Sequence, residues 1–347
     1  MASMDVTVMG AGVFGLSVAY ACAARGAKVR VIDPHGVGAG SSGGLVGALA
    51  PHVPENWNDK KAFQFDSLIM AEGFWARVAE LSGRDPGYAR SGRLQPIADA
   101  RTLELAHQRA ETAKTLWQGK ASWTVRPRSE FDDWAPQSPT GYLIHDTLTA
   151  RMHPRNACSA LAGAVEALGG QIIIGDAPTE GAVVWATGYA GLQALSEERG
   201  KTVGNGVKGQ AMLLRFAAQD RPQLFADALH IVPHGDGTVA IGSTSERDFD
   251  DSKSTDIQLD EIHARALAAF PVLQGAEILE RWAGVRPRAK SRAPMLGGYP
   301  DRPGHFIANG GFKIGFGMAP KVGQVMADLV LDGQDAIPEG FRVEVNL

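Results

Sequence analysis

The chain has 347 residues, more than one hydrophobic core commonly serves, so two domains or one large composite are expected. Hydrophobic residues make up 44% and charged residues 21%, as in an ordinary soluble globular protein. The formal charge of −4 speaks against nucleic acid as the main partner, because that role needs a basic surface.

No run is long and apolar enough to span a bilayer, so no membrane association is expected. The chain enters a strand pattern by Asp5 without a preceding basic and apolar leader, and the expected compartment is the cytoplasm. Cys22 and Cys158 lie far apart in alanine-rich runs and are expected to be reduced, buried thiols. No pair of Cys or His has metal-ligand spacing, so no metal is expected. Glycine is the outlier at 42 residues, well above an average usage of about 7%. Such an excess marks places where the backbone turns with positive φ or approaches something closely.

In chain order, "DVTVMGAGVFGLSVAYACAARGAKVRVID" reads as strand, turn, helix and strand. Val6 and Val8 alternate, a helix rich in small residues runs to about Arg25, and Gly26 caps it. Lys28 to Ile32 form a second strand that ends at Asp33. Gly10, Gly12 and Gly15 make GxGxxG. The first glycine permits the tight turn, the second lets a pyrophosphate reach the backbone, and the third lets helix lie close on strand. The helix N-terminus offers free N–H groups and a positive dipole end to phosphates. Asp33, 23 residues after Gly10, is placed to accept hydrogen bonds from ribose hydroxyls. The combination points to dinucleotide binding and does not choose between FAD and NAD.

Next comes "GAGSSGGLVGALAPH", Gly38 to His52, whose five glycines suit no regular element. Leu45, Val46, Leu49 and Pro51 are too apolar for a flexible linker, so a backbone folded tightly against a flat ligand is expected. Farther on, "RTLELAHQRAETAKTLWQ" and "IHARALAAF" have helical spacing, and "ALHIVPHGDGTVAIGST" alternates as strands do. "WAGVRPRAK", Trp282 to Lys290, gathers the cations Arg286, Arg288 and Lys290.

These segments resemble the flavin-dependent amino-acid oxidases that include glycine oxidase and D-amino-acid oxidase, over most of the chain. "GSSGGLVGALAP" is similar to the segment passing beside the isoalloxazine, which implies Ser41 and Ser42 near phosphates or ring and Gly44, Leu45 and Val46 facing the flavin. "VVWATGYAG" resembles the later strand whose Ala-x-Gly end, closing at Gly188, packs on the cofactor. "VKGQAML" resembles the entry into the substrate domain, and "HIVPHGDGTVAIGSTSE" a hairpin reversing at Asp236-Gly237. "RWAGVRPRAKSRAPMLG" is similar to the segment whose arginine clamps the substrate carboxylate, which implies that role for Arg286. "FIANGGFKIGFGMAPKVGQVMADLVLDG" resembles the strand end and helix closing the flavin site. It implies that the backbone of Gly311, Phe312, Lys313 and Ile314 donates to the flavin, that Lys313 is a second cation near substrate, and that a helix begins near Ala319. Ser291-Arg292 stands where the family commonly has Asp-Gly, Gly311 where it often has histidine, and His230 where some members place a tyrosine over the substrate.

The implied fold is α/β: a discontinuous Rossmann-like FAD-binding domain, 1–78, 145–203 and 282–347, plus a mixed-sheet α+β substrate domain, 79–144 and 204–281. The implied function is oxidation of the C–N bond of a small amino acid or secondary amine carboxylate, by hydride transfer to flavin N5 with oxygen as acceptor. Catalytic roles fall on Arg286, Lys313 and His230. No cysteine stands beside the ring-binding segments, so FAD is expected to be non-covalent. His153 and Arg155 are expected to start a helix and Glu246 to anchor a loop. The alternatives are a dehydrogenase serving a quinone or carrier protein, an RNA-modifying flavoprotein, and a non-catalytic dinucleotide sensor.

Overall fold

A computed structural model describes residues 4–347. A six-stranded sheet runs in the order Met295–Gly298, His305–Asn309, Ala182–Trp185, Val6–Met9, Val29–Asp33 and Gln171–Ile174. It is parallel apart from the edge strand Met295–Gly298. Val6, Thr7 and Val8 are all buried, as expected where both faces of a parallel sheet are covered. The helix Val13–Ala23 is buried at ten of its eleven residues, which explains its small, apolar composition all round. It packs against Gly315–Asp332 and Pro154–Ala167, and Asp59–Ser82 packs on the last two. Cys22 and Cys158 are buried in this core as free thiols, and burial pushes both up to about 12.

The helices start where polar side chains take orphaned N–H groups. Asn58 accepts from Lys61 N, Asp99 from Thr102 N and Asp256 from Gln258 N. His153 caps Pro154–Ala167 by accepting from Asn156 N, so it and Arg155 do start a helix.

An eight-stranded, mostly antiparallel sheet has the order Glu277–Ala289, Gly204–Arg215, Thr238–Gly242, Leu229–Pro233, Gln223–Ala226, Arg93–Pro96, Tyr142–Asp146 and Trp123–Pro127. The hairpin between Leu229–Pro233 and Thr238–Gly242 reverses at Asp236-Gly237, with Gly237 at φ 85°. Strand Glu277–Ala289 runs across residue 282, where the sequence reading divides two domains, and its whole length pairs with Gly204–Arg215. The strand therefore carries Arg286 on the second sheet and leads directly into the first. Among the described residues, no helix is long and apolar enough to cross a membrane.

The loop Gly44–Val46 meets the second sheet. Leu45 is buried in a cluster with Ala211, Val232 and Ala240, against which Val46 and Trp282 pack. A Cβ on Gly242 would lie 2.7 Å from Val46, and one on Gly44 would lie 3.1 Å from the Trp282 ring. Both glycines are small because the loop and the second sheet approach closely there.

Candidate active site

Four of the parallel strands end at one rim, and the nucleotide-site residues follow them. Gly10 follows Met9, Asp33 closes its strand, Ala186 to Gly188 follow Trp185, and Gly310 and Gly311 follow Asn309. Chain order reverses about the strand Val6–Met9, so this rim is the switch point at which open α/β sheets bind ligands.

Gly10 has φ 109°, a conformation open to glycine, and a Cβ there would overlap the Ala186 carbonyl oxygen. A Cβ on Gly15 would overlap the Gly10 carbonyl oxygen. Ser42, in the short turn Ser41–Gly43, accepts from Val13 N through its hydroxyl at 3.0 Å. The nitrogens of Gly12, Phe14 and Gly15 find no acceptor among the described residues. Asp33 Oδ2 accepts from Ala11 N at 2.8 Å, and Oδ1 accepts from His35 N and Gly36 N. A carboxylate has about four acceptor positions, so Oδ2 retains one for a ribose hydroxyl. Gly188 opens the helix Gly188–Arg199 with φ 60°, and Asn309 Nδ2 donates to its carbonyl.

The nitrogens of Gly44, Leu45 and Val46 likewise have no acceptor among the described residues, although the Leu45 side chain faces the second sheet. Of Gly311 to Ile314, Phe312 N donates to Pro287 O and Ile314 N to Gly311 O, which leaves the nitrogens of Gly311 and Lys313. The following helix begins at Gly315, not near Ala319, and Met318 N already bonds to Ile314 O. Gly317 to Pro320 are buried, and packing carries the helix through Pro320. Glycines that a Cβ would jam and N–H donors without acceptors along one rim fit a dinucleotide with a flat ring.

Arg286 stands above this rim. Its Nη1 donates to Ser243 Oγ at 2.8 Å, and its Nη2 to Thr244 O at 2.7 Å and Lys208 O at 3.2 Å. Its Nε is buried with no acceptor. Burial holds the guanidinium down at about 10, against the pull of Glu246, so it remains a cation at neutral pH. A Cβ on Gly209 would lie 2.5 Å from Arg286 Cζ, so this strand glycine makes room for the guanidinium. Behind it lies a buried network: Glu246 pairs with Lys208 at 3.7 Å and accepts from Gln210 and from Thr244 Oγ1. Glu246 thus anchors the segment that supplies Arg286 with its acceptors. The sequence reading did not find Gly209, Ser243 or Thr244. A glycine inside the strand pattern of "VKGQAML" was the one available signal.

Phe312, at φ 43°, places its ring among three cations. The Cζ atoms of Arg286 and Arg288 lie 5.8 and 5.5 Å from its centroid, and Lys313 Nζ lies at 5.8 Å. Lys313 is solvent-accessible, yet the ammonium is held below lysine's ordinary range by lost hydration and by Arg286 and Arg288. His230 packs on Phe225 with ring centroids 4.6 Å apart, and its Nδ1 is buried without a partner. Burial, followed by Arg93 and Lys313, pushes its imidazole down to about 3. His230 pairs with Gly242, which pairs with Ala211 and so with Trp282, a row that places it on the sheet face of Arg286.

A neighbouring histidine, His234, donates from Nε2 to Leu45 O at 3.0 Å and is pushed down to about 4 by burial. Both imidazoles stay neutral in the folded chain, whereas the unfolded chain takes up protons near 6.5. Stability is therefore full above about pH 7 and is lost as pH falls from 6.5 toward these depressed values. The loss is up to about 1.4 kcal/mol per pH unit for each histidine. Thermal unfolding between pH 8 and 5 should show a flat Tm that then declines, with a shallower decline in His230→Gln. A Tm that rises on acidification would contradict this.

A concavity of about 520 Å³ borders Gly38, Ala39, Gly40, Gly43, Arg155 and Trp282, and another of about 320 Å³ borders Trp185, Thr187 and Asn309. Among the described residues, no three His, Cys, Asp or Glu side chains gather as a metal site.

A family profile described as DAO, FAD dependent oxidoreductase, matches residues 5–329. The chain belongs to this FAD-dependent oxidoreductase family. FAD is the cofactor of the DAO family, and the glycine rim and free donors described above suit it. A glycine oxidase of Pseudomonas putida is 26% identical over 97% of this chain and 99% of its own. The crystal structure of glycine oxidase from Geobacillus kaustophilus superposes with a TM-score of 0.84 at 21% identity, covering 98% of each chain. That of iminodiacetate oxidase from Chelativorans superposes at 0.79 and 21% identity, covering 97% of this chain and 98% of its own. These superpositions confirm the two-sheet α/β architecture of the DAO chain.

Proposed function

We propose that the chain oxidises the C–N bond of a small amino acid or secondary amine carboxylate and passes the electrons to oxygen. The observation that carries this reading is Arg286, which among the described residues is a cation with no paired carboxylate and a buried Nε without an acceptor. When bound, FAD supplies the two-electron acceptor that the protein's own side chains lack.

Arg286 takes the substrate carboxylate. Its Nε and Nη2 form the side-on fork of a guanidinium, and the 3.2 Å contact of Nη2 to Lys208 O is the weaker of its two carbonyl bonds. The carboxylate binds Nε and displaces that weaker contact, while Ser243 and Thr244 keep the guanidinium aimed. Fixing the carboxylate fixes the α-carbon, and orientation of this kind lowers a barrier by several kcal/mol. The substrate amine must be neutral to react. Arg286, Arg288 and Lys313 disfavour a nearby ammonium, and the neutral His230 offers a hydrogen bond without adding charge. No protein base is required. Hydrolysis of the resulting imine gives an oxo acid, glyoxylate if glycine is used, with ammonia from a primary amine or the shorter amine from a secondary one, and oxygen leaves as hydrogen peroxide. The oxidase names of the Pseudomonas and Geobacillus relatives support both the substrate type and the acceptor.

Anaerobic titration of the flavin-loaded protein with glycine, N-methylglycine and D- and L-amino acids tests the reading. At least one should bleach the flavin, and admitting air should restore the colour with formation of peroxide. No bleaching by any amine would overturn the proposal, and bleaching without reoxidation by air would reassign the acceptor.

A further inference from the structure

Arg286 alone suffices for one carboxylate, yet it is not alone. Arg288 is two residues on along the same strand and so faces the same side. Lys313 and the exposed Arg247 and Arg292 add three more cations, since Arg247 and Arg292 both act electrostatically on Arg288. Among the described residues, none of these five lies within ion-pair distance of a carboxylate. The same strand does pair its other arginine, Arg281, with Asp260 at 2.6 Å, and the neighbouring Glu246 pairs with Lys208. Carboxylates are thus supplied to the flanking cations and withheld here. Phe312 lies between Arg286, Arg288 and Lys313 and offers an apolar face in the middle of the group.

Like charges gathered without partners repel one another, and an anion relieves that cost. Alternate residues on a strand stand roughly 7 Å apart. Two guanidiniums at that spacing serve two anionic groups a few bonds apart better than they serve one. Phe312 would lie along the carbon chain joining those groups.

We propose that the substrate carries a second carboxylate, held by Arg288 with help from Lys313 while Arg286 holds the first. The substrate class is an amino or imino dicarboxylic acid. This rests on the reading above that Arg286 takes the carboxylate next to the reacting carbon. Arg247 and Arg292, exposed at the outer edge, draw the doubly charged molecule in.

The test uses the flavin-loaded protein and two measurements. In the first, calorimetric titration compares succinate with acetate, neither of which has an amine to oxidise. Succinate should bind at least tenfold more tightly, and that advantage should shrink by about 10- to 100-fold in Arg288→Gln, with Lys313→Met as a second variant at the same site. In the second, kcat/KM is compared for aspartate, glutamate and iminodiacetate against glycine and alanine. Preference for the diacids should fall by a similar factor in Arg288→Gln. Equal binding of succinate and acetate by the unaltered protein would overturn the inference, as would an equal loss for mono- and dicarboxylates in the variants. Bleaching by glycine with no response to any diacid would sink this inference alone. Failure of every amine would sink the amine-oxidation reading, and the succinate titration would still judge the second anion site.

Discussion

Arg286→Ala should lower kcat/KM for the amine substrate by about 30-fold to several thousand-fold while the protein stays yellow. Truncating one partner of a buried charge pair typically costs roughly 2–5 kcal/mol, which sets that range. The flavin should remain because Arg286 makes no hydrogen bond to the rim's glycines or free donors. The residue's own bonds go to Ser243, Thr244 and Lys208 on the second sheet. Gly209→Ala reaches the same group from the opposite side. A methyl group there would lie 2.5 Å from Arg286 Cζ, so the guanidinium must move although its charge is kept. Both variants should lose activity, with Gly209→Ala losing less. Anaerobic flavin reduction rates and the flavin spectrum measure the two halves of the prediction. Near-normal kcat/KM in Arg286→Ala would remove the carboxylate clamp.

The second large effect is expected from Gly15→Ala. The added methyl would overlap the Gly10 carbonyl oxygen, so the helix Val13–Ala23 must lift from the turn that it packs against. Overpacking of this kind costs roughly 1–3 kcal/mol. It also moves the unpaired nitrogens of Gly12 and Phe14 away from any phosphate, and flavin binding should weaken at least tenfold. Gly40→Ala in the neighbouring loop is the control, because its Cβ would meet nothing within 4 Å and its φ is −87°. The ratio of flavin to protein after gel filtration should fall in the first variant and hold in the second. Full flavin retention by Gly15→Ala would show that close helix-on-turn packing is not needed for the cofactor.

The nucleotide rim could be read from residue order because its demands are local. Gly15 and Asp33 meet their constraints within one strand–turn–helix–strand unit, where a steric overlap or a short carboxylate bond links near neighbours, and the positive φ of Gly10 belongs to the same turn although its space is closed by the distant Ala186. The hairpin at Asp236-Gly237 and the helices Ala100–Leu116 and Ile257–Ala269, which cover most of the two segments of helical spacing, were legible for the same reason. The helix after Ile314 was misjudged by four residues. Its Ala-Pro pair looks like a start signal, but burial of Gly317 to Pro320 outweighs that local preference.

The substrate side depended on long-range geometry. Arg286 could be singled out by its resemblance to a family segment, but nothing nearby in the chain shows that its acceptors are Lys208, Ser243 and Thr244. Those partners lie 42 to 78 residues away and are delivered by strand register. The same holds for the cations around Phe312: Arg288 and Lys313 are joined only by the pairing of Glu277–Ala289 and the turn before Gly315. Covalent neighbours settled where a nucleotide would lie. Register and turn geometry, which depend on packing between distant segments, settled which charges meet and which are left without a partner.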